Sequence, residues 1–100
     1  MNVTTNTEGT KLTLALEGKL GTTSAPEFEK ALKNNIDGIT ELVFDFEKLE
    51  YMASAGLRVL LSAAKVMKKQ GSMKIINVTN PVMDVFTFTG MADVMDIQAI

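Results

Sequence analysis

Apolar and polar residues alternate through Lys11 to Leu20, KLTLALEGKL, with Leu12, Leu14 and Leu16 on one face and Lys11, Thr13 and Glu17 on the other. That period of two predicts a half-buried strand. The Thr-rich segment from Val3 to Thr7 precedes it and pairs with it as a hairpin through Glu8 and Gly9. The period then changes: in SAPEFEKAL, Phe28, Ala31, Leu32 and Ile36 recur at helical spacing. Ser24 is the expected N-cap, Glu27 its capping-box partner and Pro26 a tolerated first-turn residue, while Asp37 and Gly38 close the helix. ELVFDFE, Glu41 to Glu47, is a short buried strand with Leu42, Phe44 and Phe46 on one side and Val43 on the other.

From Leu57 the helical period returns, with Leu57, Leu60, Leu61, Ala64 and Met67 as the apolar stripe and Arg58, Ser62, Lys65 and Lys69 facing away. Gln70 and Gly71 end it. MKIINV is a further strand, Asn80 the cap of a third helix running from Pro81 to Phe88, and Gly90 its terminator. The tail ADVMDIQAI fits a short strand or a final helix equally well. The order strand-strand-helix-strand-helix-strand-helix predicts an α/β (α+β-like) fold with a mixed sheet of four to five strands, the later ones parallel and joined by crossover helices. No repeat, linker or low-complexity tract divides the chain, so residues 1–100 read as one domain.

In such a fold the loops leaving the strands for the helices gather on one rim, where binding sites form. Three loops are expected there: Gly21 to Ser24 with Thr22 and Thr23 between them, Met52 to Gly56, and Val78 to Asn80. Ser54 stands in the second, in the run YMASAGLRVLL, flanked by Ala53 and Ala55. As an N-cap it would contribute about 1 kcal/mol. A helix start also presents unpaired amides and the positive end of the helix dipole, so a phosphate on this hydroxyl would be stabilised. The pattern alone leaves both roles open, with the cap as the default.

Composition narrows the chemistry. The chain has 46% hydrophobic and 22% charged residues, a net charge of −2 and a pI near 5.0. Apart from Lys65, Lys68 and Lys69 its cations are scattered, so no basic footprint for nucleic acid is present. There is no cysteine and no histidine, which removes disulfides, thiol nucleophiles and the usual neutral-pH base. MASAG lacks the first glycine of a nucleophile elbow, Leu57 stands where an S-x-x-K lysine would, and no G-K-[ST] follows Gly18 and Gly21. Asp45, Glu47 and Glu50 match no calcium-loop spacing and read as solvated or loop-supporting carboxylates. Of the seven methionines, Met67, Met73 and Met83 occupy core-like positions, leaving Met52, Met91 and Met95 as candidate contacts. The N-terminal MNVTTNTEG resembles no signal peptide and no apolar run approaches the ~20 residues of a membrane span, so a cytoplasmic location is expected.

Three segments in this order and spacing, EGKLGTTSAPEFEKAL, LVFDFEKLEYMASAGLRVLL and MKIINVTNPVMDVFTFTGMADVMDI, resemble the STAS domains, and most closely the stand-alone bacterial anti-sigma factor antagonists. The resemblance covers nearly the whole chain. It implies a partner-switching regulator without catalytic residues, metal or cofactor, a monomer or weak dimer. Its partners would be an anti-sigma factor with a histidine-kinase-like ATP fold, which phosphorylates the serine matching Ser54, and a metal-dependent serine phosphatase that restores it. The partner-binding rim would comprise Gly21, Thr22, Thr23, Ser24, Met52, Ala53, Ala55, Gly56, Arg58 and Asn80. Many members carry Asp where this chain has Ala53 and Gly21, so the rim here is less negative. Arg58, one turn beyond Ser54, either pairs with a phosphate or is solvated. The alternative within the family is a ligand-binding or scaffold module, as in lipid-transport or stress-signalling assemblies, in which Ser54 only caps a helix.

Overall fold

The computed structural model describes residues 1–100. The chain runs β1 (Asn2–Glu8), β2 (Lys11–Leu20), α1 (Ala25–Asn35), β3 (Glu41–Met52), α2 (Ser54–Gln70), β4 (Ser72–Val78), α3 (Asn80–Thr89), a 3₁₀ turn (Met91–Asp93) and β5 (Ile97–Ala99). The strands form one five-stranded sheet in sequential order. β1 and β2 are antiparallel, and their two-residue connection places Gly9 at φ 61°, a left-handed conformation that glycine adopts without a Cβ penalty. All later pairs are parallel. Parallel neighbours cannot be joined by a tight turn, and here each crossover is a helix.

The helices share one face of the sheet. Phe28 of α1, Phe44 and Phe46 of β3 and Phe86 of α3 make a continuous row, with ring centroids 5.6, 6.2 and 6.4 Å apart. Leu57, Leu60, Ala63 and Met67 of α2 join the same core as Leu12, Leu14, Leu16 and Leu20 of β2. Val43 is also buried but stands outside that core, on the opposite face, which it shares with Thr13, Ala15, Asp45, Lys74 and Ile76. No polar side chain is fully buried, so the core rests on apolar burial alone. No helix is long and apolar enough to cross a membrane.

Several expectations shift. β3 is five residues longer than the run ending at Glu47, because a partner strand on β2 extends the pairing as far as Leu20 with Met52. Between the same end points β3 holds two more residues than β2, absorbed as irregularities near Ala15/Glu17 and Gly18/Lys19. The tail forms β5, since Ile97–Ala99 finds an open edge on β4. On α2 the buried face is Gly56, Leu57, Val59, Leu60, Ala63 and Met67, whereas Leu61 and Ala64 are only half-buried. The stripe is rotated because the helix packs over both β3 and β4. Met52 and Met95 are buried and Met91 half-buried, so Met52 and Met95 are not surface contacts.

Candidate functional site

The first two loops meet as expected. Leu20 and Met52 end adjacent parallel strands in register, and the Ala53 amide donates to the Leu20 carbonyl at 2.8 Å. The loop before α1 is tied by Ser24, whose Oγ accepts from the Gly21 amide at 2.8 Å and donates to the Lys19 carbonyl at 3.0 Å. This replaces the expected capping box: Ser24 makes no side-chain cap bond to α1, because its hydroxyl is already engaged backwards. Gly21 is half-buried and Thr22 and Thr23 are exposed on this tied loop.

Ser54 is likewise not the cap. Ala53 occupies that position, with extended φ −92° and ψ 169°, and Ser54 is the first residue of the 17-residue α2. With alanine in the cap position, no side chain serves the first turn. The Gly56 and Leu57 amides reach the Ala53 carbonyl at 3.0 and 3.3 Å, while the Ser54 and Ala55 amides find no protein acceptor. The Ser54 side chain is exposed and makes no hydrogen bond within the protein. Arg58, one turn further along, is exposed and outside all three ion pairs of the structure.

Gly56 lies beneath this surface. A Cβ there would stand 2.5 Å from Leu20 Cδ2, 2.6 Å from Leu20 Cγ and 3.3 Å from Met52 Cγ. The first turn of α2 therefore sits directly on the ends of β2 and β3. Gly56 and Met52, both expected among partner-contacting residues, are instead the buried seat that holds Ser54 outward, with Ala53 half-buried and Ala55 half-buried against the core.

The third loop is set back. Thr79, not Asn80, precedes α3, and its Oγ1 donates to the Leu49 carbonyl at 3.3 Å. Leu49 lies three residues before Met52, about 10 Å along the strand at ~3.3 Å per residue. Asn80 is exposed as the first residue of α3 but a step below Ser54. What the pattern did not disclose is Asn77, held at φ 57° while its Nδ2 donates to Asp45 Oδ1 at 3.1 Å. Asn is among the few side chains that adopt this conformation readily. The same Asp45 oxygen accepts the Glu47 amide at 3.1 Å, so this carboxylate supports backbone as expected. No group of three acidic side chains converges as a metal site.

None of the four surface concavities includes a residue between Lys19 and Ser24 or between Met52 and Arg58. The Ser54 surface therefore holds no cleft of its own.

Comparison with known proteins agrees with this architecture. The sequence is 29% identical over 100 residues to the anti-sigma-B factor antagonist of Bacillus subtilis, covering 99% of this chain and 92% of that protein. An anti-sigma factor antagonist from Mycobacterium paratuberculosis superposes with a TM-score of 0.90 at 17% identity, over 99% of this chain and 86% of that one. The Bacillus cell fate determinant SpoIIAA in its phosphorylated form superposes with a TM-score of 0.75 at 19% identity, over 96% of this chain and 90% of that one. At these identities the structural likenesses speak for the fold. The sequence profile of the STAS domain spans residues 2–99, and with the sheet order and helix placement described above it establishes that this chain belongs to the STAS domain family.

Proposed function

We propose that this protein is an anti-sigma factor antagonist whose Ser54 surface, when unphosphorylated, docks on an anti-sigma factor with a histidine-kinase-like ATP fold and so frees a sigma factor. Phosphorylation of Ser54 by that partner ends the complex, and a metal-dependent serine phosphatase restores it. The observation that carries the reading is the Ser54 hydroxyl itself: exposed, without an intramolecular hydrogen bond, at the start of α2 on a surface without a cleft. A free hydroxyl keeps its lone pair for in-line attack on a γ-phosphate. The new Oγ–P bond forms as the bond to the β-phosphate oxygen breaks, ADP leaves, and the hydroxyl proton passes to a base on the kinase. This chain offers no histidine for that step, and no carboxylate lies between Met52 and Arg58. ATP as the phosphoryl donor places the cycle in the cytoplasm.

The off-state follows from charge. A phosphoserine brings about −1.5 to −2 charge into a surface matched to an uncharged hydroxyl. The free Ser54 and Ala55 amides and the unpaired Arg58 stabilise that charge on the free protein, which favours release. Incubation with the cognate kinase and ATP is expected to add one phosphoryl group by intact-mass spectrometry, and Ser54→Ala to abolish it. Ser54→Ala keeps the complex, whereas Ser54→Asp weakens it at least ~10-fold, about 1.4 kcal/mol. Equal binding by both variants, or phosphate at another residue, overturns the proposal.

A further inference from the structure

We propose that the groove between the C-terminal half of α2 and residues 94–96 binds a single-chain amphipathic anion, a medium-chain fatty acyl carboxylate, with its tail in the groove and its head on Lys65 and Lys68. The groove originates in the sheet. β5 pairs with β4 only from Ile75, opposite Ile97, to Val78, opposite Ala99. Residues 72–74 at the start of β4 therefore have no strand on their outer side. Met73, which shares the helical face with Ile75 two residues on, is left half-buried. α2 borders this gap on one side. The chain leading into β5 borders it on the other, held where the Ile75 amide donates to the Asp96 carbonyl at 2.9 Å. The resulting space of about 410 Å³ is lined by Leu61, Ala64, Met67, Met73, Val94 and Met95, with Lys65, Lys68, Gly71 and Asp96 completing the wall.

The lining selects the ligand. A volume at the lower end of the range for small-molecule sites, about 300–1,000 Å³, with apolar walls and few polar groups, suits one hydrocarbon chain. Three of the six apolar side chains are methionines, whose unbranched thioethers adjust to an irregular guest. The polar part of the wall is cationic. Lys65 and Lys68 stand three residues apart on one helix face, both exposed, and neither belongs to an ion pair of the structure. α2 contains no Asp or Glu to neutralise them. Lys68, in the last turn, also complements the helix dipole, but Lys65 lies further in, beyond the reach of that effect. Asp96 is the one carboxylate of the lining, and it faces Gln98, whose Nε2 stands 3.5 Å from its Oδ1. Two lysines against one carboxylate leave the groove positive. A bare hydrocarbon would leave the lysines unused and a compact anion would leave the apolar wall wet, so the ligand that meets both carries both. The groove begins at Leu61, seven residues and about 10 Å along α2 from Ser54, and the proposal is independent of what Ser54 binds.

The seven methionines serve as internal probes. Titration of the full chain with decanoate below its micelle concentration, followed by methyl NMR, is expected to shift the ε-methyls of Met67, Met73 and Met95 and to leave that of Met52, beneath Ser54, in place. Affinity should tighten about 4-fold for each methylene added from hexanoate to decanoate, the factor that burial of one methylene gives. Decanol, the same tail without the charge, should bind at least ~10-fold more weakly than decanoate. In the double variant Lys65→Gln, Lys68→Gln, at two exposed positions whose replacement should leave the thermal midpoint unchanged, decanoate should fall to the affinity of decanol. Unmoved Met67, Met73 and Met95 methyls at millimolar decanoate, or a uniform shift of all seven, overturns the proposal. So does decanol binding as tightly as decanoate, or undiminished decanoate binding in the double variant. A response to anionic phospholipid vesicles with none to free decanoate would assign the groove to a membrane surface, and it too overturns the proposal.

Discussion

Gly56 gives the sharpest test of how the Ser54 surface is held. On helix propensity alone Gly56→Ala should stabilise α2, by up to about 1 kcal/mol. The structure predicts the opposite sign. The added methyl would lie 2.5 and 2.6 Å from two carbons of Leu20, a residue fully shielded from solvent and enclosed by the core, so it has no free rotamer to retreat into. Forcing a methyl into such a site costs about 1–3 kcal/mol. Set against the propensity gain, the net expectation is a loss of about 1–2 kcal/mol. For a domain of this size that corresponds to a fall of roughly 5–15 °C in Tm. Urea denaturation at unchanged m-value measures the loss directly. The origin is checked by a cycle with Leu20→Ala: removing the obstructing side chain should make the double variant more stable than the sum of the singles by about 1 kcal/mol. A Gly56→Ala protein more stable than the parent, or strict additivity in the cycle, refutes the argument that this glycine seats α2 on the strand ends.

Phe46→Ala removes the middle ring of the Phe44–Phe46–Phe86 portion of the row and should cost about 3–5 kcal/mol by urea denaturation, a large part of a typical domain's stability. Gln70→Ala deletes the amide that donates to both the Ile36 and Ile39 carbonyls at 2.7 Å; a loss of about 1–2 kcal/mol is expected, with faster amide exchange in the segment joining α1 to β3. Phe88→Ser should leave the Tm within a few degrees, since Phe88 is 94% exposed and gives the core nothing.

How the elements were legible depends on the reach of the interaction behind each. The leucines of β2 and the phenylalanines of β3 are placed by a two-residue period, and any fold must put them on one face. Helix starts were legible only to within a residue. Ser24, Ser54 and Asn80 all have good capping side chains, yet none caps its helix through that side chain. For Ser24 the competing acceptor is the Lys19 carbonyl, five residues back, a partner that exists only once the loop has closed. Asn80 yields the cap position to Thr79, which is anchored on Leu49 of β3, thirty residues away.

Local pattern by itself determined the order of the first four strands and the three helices and the apolar faces of β2 and β3, but left open the tail that forms β5 and turned the α2 stripe away from its true face. It also placed a small hydroxyl residue at the β3–α2 junction, because these properties depend on side-chain spacing over one or two turns. Only the tertiary structure decided that Met52 and Gly56 lie under the Ser54 surface rather than on it, that Asn80 stands a step below, and that Ala53 leaves the Ser54 hydroxyl unclaimed. Those outcomes turn on the closeness of α2 to Leu20 and on the stagger between β3 and β4, both fixed by packing between residues far apart in the chain.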